Sequence, residues 1–177
     1  MRLAKKYPPR YTYEDYRRWE GDWELIEGIP YAMAPSPFGK HQRVVAELLR
    51  IIQNQLDECP DRCYVYPELD WIINEETVVR PDLMVVCKYI EEYLREPPEV
   101  VIEVVSKTTA ERDEKLKFEL YEREKVKYYV LVYPELKKVR AFQLKEGGYD
   151  KFFDSEEGEL ELKVNECGIK VKVVNLW

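Results

Sequence analysis

The sequence predicts a mixed α/β domain in which helices and additional strands pack against one mixed sheet. Two helix patterns with broad apolar faces alternate with short apolar strand patterns along the 177 residues. The segment Val100–Val105 is almost continuously apolar, as is typical of a central strand covered on both faces. A chain of this length can bury one sizeable core. We therefore expect a single domain over residues 1–177, with a core at about 23–144 and a β extension at about 145–177.

The amino-terminal part predicts a short helix and a hairpin. Thr12 is a natural N-cap for a helix over Thr12–Trp19, because Asp15 follows three residues later. Residues 23–33 then form two strand patterns around the turn Glu27-Gly28. Pro30 has no N–H group, which predicts an edge position for the second arm of this hairpin.

The clearest helix pattern follows the hairpin. Ser36 is the predicted N-cap, Pro37 the first helical residue, and Pro60 the residue that ends the helix. The apolar face of this helix consists of Val44, Val45, Leu48, Leu49, Ile51, Ile52 and Leu56. Two strands are predicted next, over residues 63–73 and 77–87, and each contains a proline that interrupts it.

A second helix is predicted after the central strand. Thr108 and Glu111 have the spacing of a capping box, and the helix is expected to end at about Lys125. An apolar strand and a meander of further strands are expected after it, at residues 128–132, 139–144, 149–153, 160–164 and 169–174.

The composition excludes several classes of protein. Hydrophobic residues at 45% and aromatic residues at 13% exclude a disordered chain. The sequence has no run of about 18 apolar residues that could span a membrane. No apolar stretch follows the basic first ten residues, so no secretory signal is predicted and a cytoplasmic location is expected. Charged residues at 36%, with only eight Asn and Gln, indicate a thermophilic source.

Charge is distributed unevenly along the chain, whose formal net charge is −7. Residues 44–106 contain five basic and fourteen acidic residues, which gives this segment a net charge of −9. This acidic central segment does not favour electrostatic binding of nucleic acid, but a carboxylate-rich metal site requires such a segment. The basic segments available for contact with DNA are Arg2–Arg18, Lys107–Lys127 and Lys137–Arg140.

The four cysteines are Cys59, Cys63, Cys87 and Cys167. Their spacing does not match a zinc knuckle, and a zinc site would need all four thiols from three distant places. The expectation for a cytosolic protein is four reduced, mostly buried thiols. A Cys59–Cys63 disulfide is the alternative if the source is a hyperthermophile.

Three residues stand out chemically. Glu103 lies within the apolar central strand, where a carboxylate needs a salt bridge, a proton or a metal ion. Asp82 follows Pro81, which interrupts the strand ladder and can redirect the next side chain. Lys117 shares the inward side of the second helix with Leu120, and an inward lysine needs an acidic partner. Asp113, four residues earlier, is one such partner, and the end of the Glu103 strand is another.

The order of these residues resembles the PD-(D/E)xK nuclease superfamily, which has the restriction-endonuclease-like fold, and within it the Uma family. The resemblance extends from about Thr12 to Leu144. The blocks that carry it are Glu24–Gly28, Pro35–Pro37 with His41–Val45, Arg80–Leu83, Pro98–Ser106, Asp113-x3-Lys117-x3-Tyr121, and Tyr128–Val132. The resemblance implies an αβββαβ core around a mixed sheet, preceded by the helix and hairpin and followed by the β extension.

The resemblance also implies a site. Asp82 and Glu103 would hold a divalent ion, Mg²⁺ or Mn²⁺, and the acid at Glu24 would complete the catalytic site. The superfamily motif places a lysine two residues after the glutamate, where this chain has Val105. In the Uma family this lysine is found on the following helix, which indicates Lys117, with Lys107 as the competing candidate.

The expected activity is metal-dependent hydrolysis of phosphodiester bonds in DNA. The metal ion would activate water and neutralise charge on the phosphate, while the lysine stabilises the developing oxyanion. His41 is a candidate contact to a DNA phosphate. A homodimer is expected by analogy of fold, because double-strand cleavage needs two sites. The alternatives are a non-cleaving nucleic-acid-binding or assembly module on the same fold, and an enzyme that acts on RNA or nucleotides.

Overall fold

The computed structural model describes residues 3–33 and 35–177. The helices are α1 (Leu3–Lys6), α2 (Tyr13–Tyr16), α3 (Gly39–Asp57) and α4 (Lys117–Arg123), with a π-helical turn at Arg112–Leu116 and a 3-10 turn at Val173–Leu176. The strands are β1 (Trp23–Ile26), β2 (Ile29–Ala32), β3 (Tyr64–Pro67), β4 (Trp71–Asn74), β5 (Thr77–Val79), β6 (Leu83–Val86), β7 (Val100–Val104), β8 (Tyr128–Tyr133), β9 (Lys138–Lys145), β10 (Gly148–Ser155), β11 (Glu159–Val164) and β12 (Cys167–Lys172).

The strands form three sheets. The largest has the order β10-β9-β8-β7-β6-β3, and it is mixed because β7 and β8 are parallel while its other neighbours are antiparallel. A four-stranded sheet has the order β2-β1-β5-β4, and β11 pairs with β12 in a separate hairpin. α3 and the β11–β12 hairpin cover one face of the large sheet, and α4 with part of the four-stranded sheet covers the other. The predicted mixed α/β class is therefore confirmed.

The two strands predicted at 63–73 and 77–87 are each divided in two. Their outer parts, β3 and β6, pair within the large sheet, and their inner parts, β4 and β5, pair within the four-stranded sheet. The chain leaves one sheet for the other at Glu68–Asp70, where Glu68 has a positive φ of 45°, and again at Arg80–Asp82. The second crossing contains Pro81, which cannot donate to a sheet ladder.

Both predicted starts of the long helices are wrong by a few residues. α3 begins at Gly39 with Phe38 as N-cap, and no side chain caps it, so Ser36 and Pro37 precede the helix. Before α4, two hydrogen bonds between Ser106 and Thr109 replace the predicted Thr108–Glu111 capping box. In each bond, the backbone N–H of one residue donates to the side-chain hydroxyl of the other. A turn of π-helix then separates this start from α4.

The other predicted elements are found. Thr12 and Asp15 form the capping box of α2, and β2, which contains Pro30, is an edge strand of its sheet. The predicted extension is only partly separate, because β10 belongs to the large sheet. The β11–β12 hairpin is attached to α3, where the Gln55 amide exchanges two hydrogen bonds of 2.8 Å with the backbone of Lys170.

β3 is one of the two edge strands of the large sheet. There the side chain of Gln53 on α3 accepts a hydrogen bond of 2.9 Å from the backbone N–H of Val65. The residue that closes the strand, Pro67, has no N–H to offer. Across the described ranges 3–33 and 35–177, no helix is long and apolar enough to cross a membrane.

The cysteines depart from the prediction. The structure pairs Cys59 with Cys167 and Cys63 with Cys87, so neither four reduced thiols nor a Cys59–Cys63 disulfide is found. The first disulfide joins the end of α3 to the carboxy-terminal hairpin, and the second joins β3 to its neighbour β6. These pairings depend on sheet register between distant segments, which cysteine spacing alone does not encode.

Candidate active site

Lys117 is the centre of a buried group of charged side chains. It is the first residue of α4, and it is only 3% exposed. Its Nζ atom lies 2.7 Å from Glu103 Oε1, on β7, and 2.7 Å from Glu24 Oε1, on β1. Residues from the helix and from both sheets therefore meet at one ammonium group.

Asp82 lies beside Glu103 at the crossing between the two sheets. Its Oδ2 atom accepts a hydrogen bond of 2.7 Å from the Val104 N–H, and its own N–H donates to Glu103 Oε2 at 3.3 Å. The backbone N–H of Val104 thus fixes the Asp82 carboxylate, and the backbone N–H of Asp82 fixes that of Glu103. His41, in the first turn of α3, places Nε2 3.4 Å from Asp82 Oδ2.

The π-helical turn adds residues that sequence reasoning did not assign to the site. Asp113 is buried within this turn, and the Lys117 N–H bonds to the Arg112 carbonyl, five residues back. Arg112 lies 3.6 Å from Glu24 and stacks over the ring of Tyr31. Asp113 was predicted only as a helix partner of Lys117, but the Lys117 ammonium contacts Glu24 and Glu103 instead.

Two tyrosines, Tyr121 and Tyr129, also contact the site, and neither was assigned to it from the sequence. The Tyr121 hydroxyl, one turn after Lys117, donates to Glu103 Oε1 at 3.0 Å. Tyr129 on β8 donates to the Asp113 carbonyl at 2.7 Å, which fixes the π-helical turn against the sheet. The spacing Asp113-x3-Lys117-x3-Tyr121 was the available signal, because it places all three side chains on one side of the helix.

We define the Lys117 cluster as Glu24, Glu103, Asp113 and Lys117, all at most 4% exposed. Burial raises the pKa of Glu103 well above its usual value and that of Asp113 to about 6, although Lys117 opposes both shifts. Burial alone would lower the pKa of Lys117, but Glu103, Glu24 and Asp113 together raise it well above its usual range. With three acids facing Lys117 and one neighbouring arginine, Arg112, the cluster has room for further positive charge, as a proton or as a cation.

The structure separates the two candidate lysines. Lys107 is exposed, and no ion pair or side-chain hydrogen bond joins it to the described residues, whereas Lys117 contacts two of the predicted acids. Lys115 faces solvent, and Glu111 is its one ion-pair partner among the described residues. Of the basic segments predicted for DNA contact, Arg2 lies outside the described residues.

Asp82 and Glu103 fit a divalent ion that keeps part of its water shell. Asp82 Oδ1 accepts no hydrogen bond from the described residues, and Glu103 Oε2 accepts only the bond from Asp82 N. In the ranges 3–33 and 35–177, no group of three or more His, Cys, Asp or Glu side chains is placed to hold a metal ion, so an ion at this site would depend on two carboxylates. Mg²⁺ suits such a site, because it is usually held by one or two carboxylates together with water and substrate phosphate.

The profile of the Uma2 family, described as "Putative restriction endonuclease", matches residues 13–168. The chain belongs to this family. The match spans the amino-terminal helix, the αβββαβ core and most of the β extension, so it includes every residue of the Lys117 cluster. No match is found among curated proteins.

A solved structure supports the fold of this Uma2 member. It is described as a "putative nuclease belonging to DUF820" from Anabaena variabilis ATCC 29413. The two chains share 16% sequence identity and superpose with a TM-score of 0.76, over 93% of this chain and 96% of the other. The restriction-endonuclease-like fold is thereby confirmed, with α3, β3, β6, β7, α4 and β8 as its core.

Proposed function

We propose that this Uma2 protein is a Mg²⁺- or Mn²⁺-dependent deoxyribonuclease that hydrolyses phosphodiester bonds in DNA. The observation that carries the proposal is the meeting of Glu24, Asp82, Glu103 and Lys117 at the ends of four different elements. Three of these side chains are buried, and Asp82 is partly exposed at the opening. Such an excess of buried acid is stable with a bound cation and costly without one.

Asp82 and Glu103 would hold the ion. When bound, it would supply a Lewis acid for the phosphate and make water a better nucleophile. Backbone N–H groups hold both carboxylates in place before substrate arrives, that of Val104 on Asp82 and that of Asp82 on Glu103. This fixed geometry avoids reorganisation during the reaction.

Lys117 would provide the positive charge next to the reacting phosphate. Its raised pKa keeps it protonated, so it donates hydrogen bonds rather than accepting a proton. Glu24 holds one side of the ammonium, and Glu24 Oε1 is itself fixed by the Arg80 N–H at 2.9 Å. Glu24 would therefore position Lys117 rather than contact substrate.

Cleavage of plasmid and single-stranded DNA with Mg²⁺ or Mn²⁺ tests the proposal. We expect Asp82→Ala and Lys117→Met to reduce the rate by at least about a hundredfold, because each removes charge stabilisation of the transition state. Lys115→Met is the matched control, because Lys115 is 73% exposed and points away from the cluster. Equal cleavage by all four proteins would exclude the proposed site.

One observation favours a second candidate, a non-cleaving nucleic-acid-binding or assembly module. The Lys117 ammonium already contacts two carboxylates, so its pairing with Glu24 and Glu103 is compatible with a purely structural role. Metal binding separates the two candidates. Calorimetric titration that detects no Mg²⁺ or Mn²⁺ binding at millimolar concentration, while DNA binding is retained, would favour the module.

The proposal also includes a homodimer for the case in which both strands of a duplex are cut, since each active site cuts one strand. Analytical ultracentrifugation with and without duplex DNA tests this part separately. A monomer under both conditions would restrict the protein to single-strand cleavage or nicking.

A further inference from the structure

The proposed active site meets the surface at Asp82 and His41. Glu24, Glu103 and Lys117 are buried, whereas the side chains of Asp82 and His41 are 16% and 15% exposed. The opening therefore lies where the first turn of α3 contacts the crossing segment before β6. A substrate has to enter past His41 and reach atoms that lie below the surface.

Three chain segments surround this opening. Phe38 is the N-cap of α3, and its carbonyl accepts a bond from Gln42 N, so it lies within one turn of His41. The turn after β8 lies beside the first turn of α3, because Lys40 on α3 forms an ion pair of 3.4 Å with Glu135 in that turn. The loop after β7 begins next to Val104, which bonds to Asp82.

The exposed side chains of these segments include two apolar ones and two lysines, beside the acidic Glu135 that pairs with Lys40. Phe38 is 77% exposed and Leu136 58%, and neither packs on the cores of the protein. Lys107 and Lys137 are also exposed. We name these four residues the rim. An exposed aromatic ring beside lysines is the combination that binds bases by stacking and phosphates by charge.

We infer that the rim engages unpaired DNA, with Phe38 stacking on a base next to the phosphate that enters the site. The inference rests on the proposed nuclease function and adds the class of substrate to it. A flexible single strand can bend its backbone into a recess, whereas a duplex has to be deformed to do so at a cost in free energy. Base stacking on Phe38 requires a base that is not already stacked and paired on both sides.

Binding by labelled oligonucleotides tests the inference without requiring cleavage. Fluorescence anisotropy with a 20-nucleotide strand, alone and as a duplex, is measured with Ca²⁺ in place of Mg²⁺. We expect the single strand to bind more tightly than the duplex, and Phe38→Ala to weaken its binding by about tenfold. Phe38→Trp should retain the affinity. Tyr89→Ala is the matched control, because Tyr89 is 69% exposed on another part of the surface.

Salt dependence tests the lysines of the rim. Each phosphate contact to a single strand contributes about 0.7 to the slope of log affinity against log salt. We expect Lys107→Gln and Lys137→Gln each to reduce the slope by about that amount. Lys145→Gln is the control, because Lys145 is exposed at the opposite end of β9 from the rim.

Several results would overturn the inference. These are equal affinity for duplex and single strand, full binding by Phe38→Ala, or equal losses in the rim and control variants. If Phe38→Ala cleaved DNA as fast as wild type, the nuclease proposal would stand, but the proposed role of the rim would be wrong. If wild type showed no cleavage and Phe38→Ala still lost single-strand binding, the role of the rim in binding would stand, but the nuclease proposal would be wrong.

Discussion

Two polar clusters lie on opposite sides of the Arg80–Asp82 crossing, and they differ in charge balance. The Lys117 cluster has three buried acids for one lysine. The Arg80 cluster, defined as Tyr16, Asp22, Asp70 and Arg80, has two acids for one arginine, and Asp22 is exposed. Arg80 Nε lies 2.7 Å from Asp70 Oδ1, and Tyr16 donates to Asp70 Oδ2 at 2.9 Å.

The difference shows which cluster is suited to chemistry. Each buried acceptor of Asp70 has its own donor, so the Arg80 cluster is complete as it stands and joins α2 to the four-stranded sheet. The Lys117 cluster instead concentrates negative charge beside an opening. A complete network stabilises a fold, whereas an acid excess favours a cation at some cost in stability.

The largest expected effect comes from Lys117→Met. This change leaves Glu103 and Asp113 without a cation and Glu24 with Arg112 alone, and we expect it to lower the free energy of unfolding by about 3–5 kcal/mol in EDTA at pH 7. Urea unfolding measures it, with Lys115→Met as the control that should resemble wild type. A loss equal to that of the control would mean that the buried acids are not coupled to Lys117.

A gain in stability is expected from Asp113→Asn. Because the folded pKa of Asp113 is raised to about 6, its proton is held more tightly in the folded state than in the unfolded state. The contribution of Asp113 to the free energy of unfolding of wild type should therefore fall as pH rises from about 4 to 6, and remain low above pH 6. Asp113→Asn removes this decline and should stabilise the metal-free protein on the order of 2 kcal/mol at pH 7.

Urea unfolding in EDTA across pH 4 to 8 checks this prediction. Asp70→Asn is the comparison from the other cluster, and we expect it to destabilise the protein, since Arg80 loses its closest carboxylate. If Asp113→Asn and Asp70→Asn changed the free energy of unfolding in the same direction, the two clusters would not differ as we describe.

Arg80→Met should cost about 1–3 kcal/mol, because it leaves Asp70 with one donor fewer. The backbone N–H of residue 80 remains bonded to Glu24, so the cleavage rate of the folded protein should be retained. Thermal unfolding and cleavage assays test the two parts, with Arg50→Met on the exposed face of α3 as the control. Abolished cleavage in a folded variant would show that Arg80 acts in the site itself.

The smallest changes in stability are expected when one tyrosine hydroxyl is removed from either cluster. Tyr16→Phe and Tyr121→Phe each remove one donor to a carboxylate, Asp70 and Glu103 respectively, and each should cost about 1 kcal/mol of stability. Only Tyr121→Phe should raise the Mg²⁺ concentration needed for half-maximal cleavage, by about tenfold, because only it loosens a proposed metal ligand. An equal shift in both variants would contradict the assigned roles.

The sequence predicted much of the fold because its signals were local. Glu103 within an apolar strand and Lys117 beside Leu120 on a helix face indicated a buried carboxylate and a buried ammonium. The partner of Lys117 was left open between Asp113 and the end of the Glu103 strand, and the family resemblance joined Lys117 to Glu103. The division of residues 63–73 and 77–87 between two sheets was not predicted. Proline positions indicate where a strand is interrupted, but the sheet that each part joins depends on long-range pairing.

The site was predicted less completely than the fold. Glu24, Glu103 and Lys117 lie together in the structure, with Asp82 adjacent, but their catalytic roles remain predictions. Arg112 was not assigned to the site, Asp113 was predicted only as a helix partner of Lys117, and the regular helix that was assumed is replaced there by a π-helical turn. Such a turn changes the direction of side chains relative to the ideal helix, and it has no simple sequence pattern.

The hydrogen bond from Val65 to Gln53 has a consequence for self-association. A strand from a second copy cannot extend the large sheet at β3 without displacing this amide, and Pro67 offers no donor in its place. The opposite border, β10, is interrupted by a bulge between Lys151 and Phe153. Both borders therefore resist fibre-like growth, and copies that cooperate on one duplex would have to meet through helices or loops.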